Sequence, residues 1–174
     1  MSVRPEDLDL NEIVSFAWST TLGLQVDPLA DIPATFTVQP ATQAQVHISG
    51  SFAGVVVLQA TPALAALVAE RMFMLGDQPP SLDELQDAFG EMANIIGGNV
   101  KGLLSDGGAH LSLPTVVQGH DFTVHVRGTR PLARGVGICA GQPLVVTLLT
   151  AASSGTGIPD SVEGAQADDP QTVH

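Results

Sequence analysis

Apolar and polar positions along the chain change period several times, and the longest regular stretch covers residues 81–104. Leu85, Phe89, Met92, Ile96, Val100 and Leu103 recur there at three- and four-residue spacing, which predicts an amphipathic helix. Ser81 with Glu84 three positions on spells a capping box, directly after Pro79-Pro80. Opposite the apolar stripe, Asp87, Glu91 and Asn94 fall at i, i+4 and i+7, so all three project from one face. Gly98 and Lys101 continue that face.

The same reading predicts a helix over 9–24, with Ile13, Phe16, Ala17 and Leu22 inward, Asp9 or Asn11 as cap and Gly23 as stop. Trp18 is expected in the core, as large aromatics are. Strands are predicted at 35–39, 45–49 and 52–59, with a turn at Ser49-Gly50-Ser51. Thr61-Pro62 opens a helix over 63–75, packed through Leu64, Leu67, Val68 and Met72 and closed by Gly76. After the long helix, strands are predicted at 111–118 and 122–127. A hairpin follows over 132–139 and 143–150, turning at Ala140-Gly141-Gln142. Strands segregated from helices in this order indicate an α+β fold with a largely antiparallel sheet packed against helices.

Composition and charge narrow the function. The 174 residues carry 18 acidic and 6 basic side chains, a formal net charge of -12, which disfavours nucleic-acid phosphates and anionic membranes as partners. A lone cysteine, Cys139, excludes an internal disulfide and fits a reducing cytoplasm. Residues 1–10 lack a leader pattern, and the apolar runs at 54–60 and 144–149 are too short to span a bilayer, which takes about 20 residues. The expected protein is soluble and cytoplasmic. Residues 153–174 hold Asp160, Glu163, Asp168 and Asp169 without Lys or Arg, and read as a disordered acidic tail after one domain at 1–152.

Familiar catalytic patterns are missing. His47, His110, His120, His125 and His174 are dispersed, no cysteine pair exists, and Glu91-x-x-Asn94 stands where a bundle metal site would have Glu-x-x-His. No metal is expected on this chain. There is no Gly-x-Ser-x-Gly elbow, P-loop or dinucleotide fingerprint. Cys139 sits in an apolar strand and reads as a core thiol. Asp87, Glu91 and Asn94 are compatible with a merely solvated helix face. Two details point further. Asparagine is a poor helix former, and Gly97 and Gly98 each cost about 1 kcal/mol relative to alanine in a helix interior. Small residues beside a carboxylate and an amide make a docking face with two polar probes.

Residues 87–99, Asp-Ala-Phe-Gly-Glu-Met-Ala-Asn-Ile-Ile-Gly-Gly-Asn, resemble the signature of the CheC, CheX and FliY chemotaxis phosphatases. That signature is Asp or Ser, three residues, Glu, two residues, Asn, and a proline further on. Pro114 fits that proline, somewhat closer than usual. Thr21-Leu22-Gly23-Leu24 and the strand at 50–59 with Thr61-Pro62 are also similar, so the likeness covers about residues 9–150. CheC-like members carry a second motif in the first helix. Here that helix has Glu12 with Ser15 in place of asparagine, so the single motif is CheX-like. FliY-like members add a switch domain for which this chain has no room.

The resemblance implies a CheC/CheX-like fold and a phosphatase for the phosphoaspartate of a CheY-type response regulator. It implies that Glu91 contacts the partner's active-site lysine and that Asn94 orients the attacking water. Asp87, Gly98 and Lys101 would meet the partner around them. No cofactor would be held by this chain, Mg2+ being expected on the partner receiver domain. A homodimer through sheet edges is a further expectation. The alternative is a non-catalytic adaptor or a flagellar-switch-like interaction domain.

Overall fold

The computed structural model describes residues 3–120 and 126–152, and in it three helices cover one face of an antiparallel sheet. Helix α1 (Leu10–Leu22) starts where the Asp9 carboxylate accepts from the amides of Asn11 and Glu12, and stops at Gly23 in the left-handed conformation. Helix α2 (Pro62–Phe73) is capped by the Thr61 hydroxyl, which accepts from the Leu64 amide, with Pro62 at its first position. Helix α3 (Leu82–Leu104) carries both arms of its capping box: Ser81 Oγ accepts from the Glu84 amide at 3.3 Å, and Glu84 Oε2 accepts from the Ser81 amide at 2.8 Å.

The strands are β1 (Asp27–Pro28), β2 (Ala41–Gly50), β3 (Gly54–Ala60), β4 (Ala109–Leu111), β5 (Thr115–Gly119), β6 (Thr129–Cys139) and β7 (Gln142–Ala151). They run in the order β1-β6-β7-β3-β2, with β4 and β5 both paired to β2 at opposite ends. The β6–β7 hairpin turns through Ala140 and Gly141, both at positive φ, as a two-residue loop with the sheet's twist requires.

Alternation sorts the side chains. Val46 and Ile48 of β2, Val56 and Leu58 of β3 and Val146 and Leu148 of β7 face the helices in one core with Trp18, Phe89, Met92 and Ile96. A smaller cluster of Val38, Ala41, Val136 and Val145 includes alternate residues of the same sheet, against which Leu29, Ile32 and Phe36 pack.

Several sequence expectations change. Residues 35–39 are not a strand: Phe36 N donates to Pro33 O in a turn, and the Arg134 guanidinium donates to the carbonyls of Pro33 and Phe36. Those carbonyls meet a side chain instead of a neighbouring strand, and the apolar residues cover the sheet as a loop. The predicted strand at 111–118 is two strands, broken around Leu113-Pro114 because proline offers no amide for a ladder. Helix α2 ends earlier than predicted, at Met74 in the left-handed conformation (φ 52°), with Gly76 in the next turn. Phe16 is 59% exposed, while Trp18, two residues on, is fully buried. Leu103 is also exposed and Leu104 takes the inward place. Most of the predicted strand at 122–127, and the predicted tail at 153–174, lie outside the described residues.

Candidate functional site on helix α3

Helix α3 lies on the sheet through Ala88, Phe89, Met92, Ala93, Ile96 and Val100, all fully buried. That seating fixes which way the polar residues point. Asp87 and Glu91 are exposed, and Asn94, Gly98 and Lys101 are half-buried. The expected stripe therefore exists, on a helix held by its buried face rather than on a mobile loop.

Glu91 and Asn94 are one turn apart. Asn94 Nδ2 lies 3.5 Å from Glu91 Oε2, at the far limit of a hydrogen bond, so the two side chains are neighbours without being locked together. No basic group pairs with Glu91 or Asp87 among the described residues. The pair thus presents an unneutralised carboxylate beside an amide that can both donate and accept. Lys101 is about 15 Å from Glu91 along the axis, given a rise of 1.5 Å per residue, which puts it at the rim. Among the described residues no three His, Cys, Asp or Glu side chains gather as a cation site.

The glycines divide. A Cβ at Gly97 would lie 2.6 Å from Val46 Cγ2, so this glycine serves contact between α3 and the sheet and gives a partner no clearance. A Cβ at Gly98 would meet nothing within 4 Å, so of these two glycines it is Gly98 that keeps the outer surface low. Gly90, unnoticed in the sequence, faces Pro114: a Cβ there would be 3.1 Å from Pro114 Cγ. The β4–β5 loop is thereby held against α3 one residue before Glu91. The only signal for this in the sequence was the proline of the motif.

Beside Glu91 an open groove of about 540 Å³ runs between Phe73 of α2, Asp87 and Gln86 of α3, and Pro114. A wider concavity of about 660 Å³ lies along α1, past Glu12, Ser15 and Phe16. Its helix carries Ser15 three residues after Glu12, where α3 has Asn94 after Glu91. Ser15 Oγ there is directed to the Val26 carbonyl at 3.5 Å, so α1 does not repeat the arrangement on α3.

A profile of the family described as chemotaxis phosphatase CheX matches residues 42–134, more than half of the chain and including all of α3. This chain belongs to the CheX family. Among solved structures, a chemotaxis protein CheX from Desulfovibrio desulfuricans is 22% identical, with a TM-score of 0.67 over 80% of this chain and 94% of that one. CheX from Vibrio vulnificus is 18% identical, with a TM-score of 0.67 over 84% and 98%. A third is the CheX-CheY-BeF3-Mg+2 complex from Borrelia burgdorferi, 15% identical, with a TM-score of 0.62 over 81% and 95%. Identities this low speak for the fold alone, which is the expected α+β CheX/CheC-like one. No curated protein matched the chain. No helix among the described residues is long and apolar enough to cross a membrane.

Proposed function

We propose that this CheX-family chain hydrolyses the phosphoaspartate of a CheY-type receiver domain in chemotaxis signalling. The observation that carries the reading is the outward pair Glu91 and Asn94 on a helix fixed by its buried face. Membership of a family described as chemotaxis phosphatases supports it, as does a fold shared with a CheX found with CheY, BeF3 and Mg2+.

The chemistry asks little of this chain. An acyl phosphate is already activated, and its hydrolysis is governed by positioning and charge stabilisation. Asn94 enters the receiver's site and holds a water in line with the phosphorus, accepting from it and donating to a phosphoryl oxygen. Water adds to phosphorus, the bond to the aspartyl oxygen breaks, and the carboxylate and inorganic phosphate leave. Mg2+ bound by the receiver would supply charge balance for the phosphoryl group, without a ligand from Glu91 or Asn94. Glu91 pairs with the receiver's active-site lysine and so fixes the approach of α3. Asp87, Gly98 and Lys101 border the contact. The setting is the cytoplasm, and a homodimer forms through the outer edge of β6, which β1 pairs at Gly137 and Ile138 and the Leu29 amide reaches at the Val136 carbonyl.

Timed phosphate loss from a phosphorylated receiver tests this. Asn94→Ala should cut catalysed release about 100-fold, the scale of losing one positioned hydrogen-bonding group, with the melting curve unchanged. Glu91→Ala should weaken both docking and rate. Unchanged release from Asn94→Ala would overturn the reading. Tight binding of wild type with no change in phosphate lifetime would establish the adaptor instead.

A further inference from the structure

The groove beside Glu91 has a chemistry that the carboxylate–amide pair does not use. One wall is Phe73, at the end of α2, which is 42% exposed although it is a large aromatic. The other is Pro114, next to Leu113, which is 88% exposed. Leu82, a turn before Gln86 on α3, is exposed as well. The lining also carries the carboxylates of Asp87 and Glu91, neither paired with a cation among the described residues. Exposed apolar residues rimmed by charge mark a surface that a partner covers, and covering the carboxylates costs their hydration unless the partner brings a cation to them.

We infer that this groove is a specificity pocket for the receiver partner, taking one of its apolar side chains that stands next to a basic residue. The inference rests on the phosphatase reading for the partner's identity. Two features of the groove fix the occupant's chemistry. Phe73 and Pro114 offer dispersion contact and no hydrogen bond, so they select an aliphatic or aromatic side chain. Asp87 and Glu91 call for a cation within a few ångströms of it, and reject a partner carrying an acid there. Continuity with the working pair fixes the location: Glu91 belongs to both, so a side chain seated in the groove settles where the receiver's phosphoryl group meets Asn94. Gly90 supports the geometry, since contact with Pro114 keeps the loop wall from drifting off α3. Receivers with the same phosphorylation chemistry but a polar residue at this point would dock poorly, and the groove would distinguish among the receivers of one cell.

The test uses the full chain and a CheY-type receiver loaded with beryllofluoride and Mg2+, with affinity measured by calorimetry. Phe73→Ser and Pro114→Ser should each weaken binding about tenfold, the range for losing one apolar contact in a pocket. Phe73→Leu should restore most of it. In turnover with phosphorylated receiver, the serine variants should raise KM with kcat within about twofold of wild type, the mark of lost docking rather than lost chemistry. Pro114 is an exposed loop residue, so its variant folds even if Phe73→Ser does not. Unchanged affinity in Pro114→Ser and in folded Phe73→Ser overturns the inference. Failure of the phosphatase reading is distinguishable: Asn94→Ala would then leave phosphate release untouched, whatever the groove variants do to affinity.

Discussion

Gly97 and Val46 lie so close that a single added carbon at the glycine would come within 2.6 Å of Val46 Cγ2. Val46 is fully buried in β2, and a β-branched side chain there has little freedom to turn away. Gly97→Ala would gain about 1 kcal/mol of helix propensity and lose more to overpacking, which costs about 1–3 kcal/mol. The steric term wins because the obstacle is stiff. A net loss of stability is expected, read from the denaturant midpoint, and a variant as stable as wild type would contradict the contact.

Gly98, the next residue, should behave oppositely. Nothing lies within 4 Å of a Cβ placed there, so Gly98→Ala keeps the propensity gain of up to about 1 kcal/mol. If the low surface at Gly98 admits the receiver, the same variant releases phosphate more slowly. Greater stability with slower turnover is the expected combination. Greater stability with wild-type turnover would remove Gly98 from the docking surface.

The capping box of α3 gives the fold an acid-sensitive element. Hydrogen bonds from the Ser81 amide, then the Ser81 hydroxyl, hold the Glu84 carboxyl below its ordinary value. A lowered folded-state value means the contribution is fully present above the unfolded value and is lost as pH falls through the folded one. Glu84→Gln should therefore melt below wild type at pH 7, with the gap closing in the acid range. Ser81→Ala should lower Tm by about 2–4 °C, the shift for losing one typical cap in a domain of this size. A gap that stays constant with pH would rule out the titrating arm.

Cys139 should be inert in the folded protein. Its burial, and then the nearby Asp27 charge, push the thiol up from its ordinary value, against a smaller opposing effect of the Trp18 indole. Less thiolate and no access both slow attack on a disulfide reagent. Labelling at neutral pH should be negligible until denaturant is added and then reach one thiol per chain. Rapid labelling of the native protein would contradict the packing of β6.

What the sequence disclosed depended on how local the cause was. The limits of α3 and α1 were legible because Ser81, Glu84, Asp9 and Gly23 act within a turn of themselves. The stripe of Asp87, Glu91 and Asn94 was legible for the same reason. Residues 35–39 were misread because the deciding group, Arg134, is about a hundred positions away and occupies carbonyls that alternation assigned to a ladder. Gly97 and Gly98 looked alike in sequence, and only Val46 on another element tells them apart. Phe16 fitted the helical period, but the phase of α1 is set by Trp18 and Leu10, the large side chains the core can enclose. Gly90 and Pro114, which shape the edge of the site, meet only once the sheet has formed.

The complete burial of Trp18 turns the molecule into its own optical probe. It is the one tryptophan in a chain without tyrosine, so ultraviolet emission comes from a single indole. That indole sits in apolar surroundings beside the Cys139 thiol, a quencher, and well inside the helix layer. Native emission should be blue-shifted and dim, turning red and brighter as the core opens. Docking on the outer face of α3 should leave it dark to the event, so any change in intensity with a tryptophan-containing receiver would report the receiver's own indole.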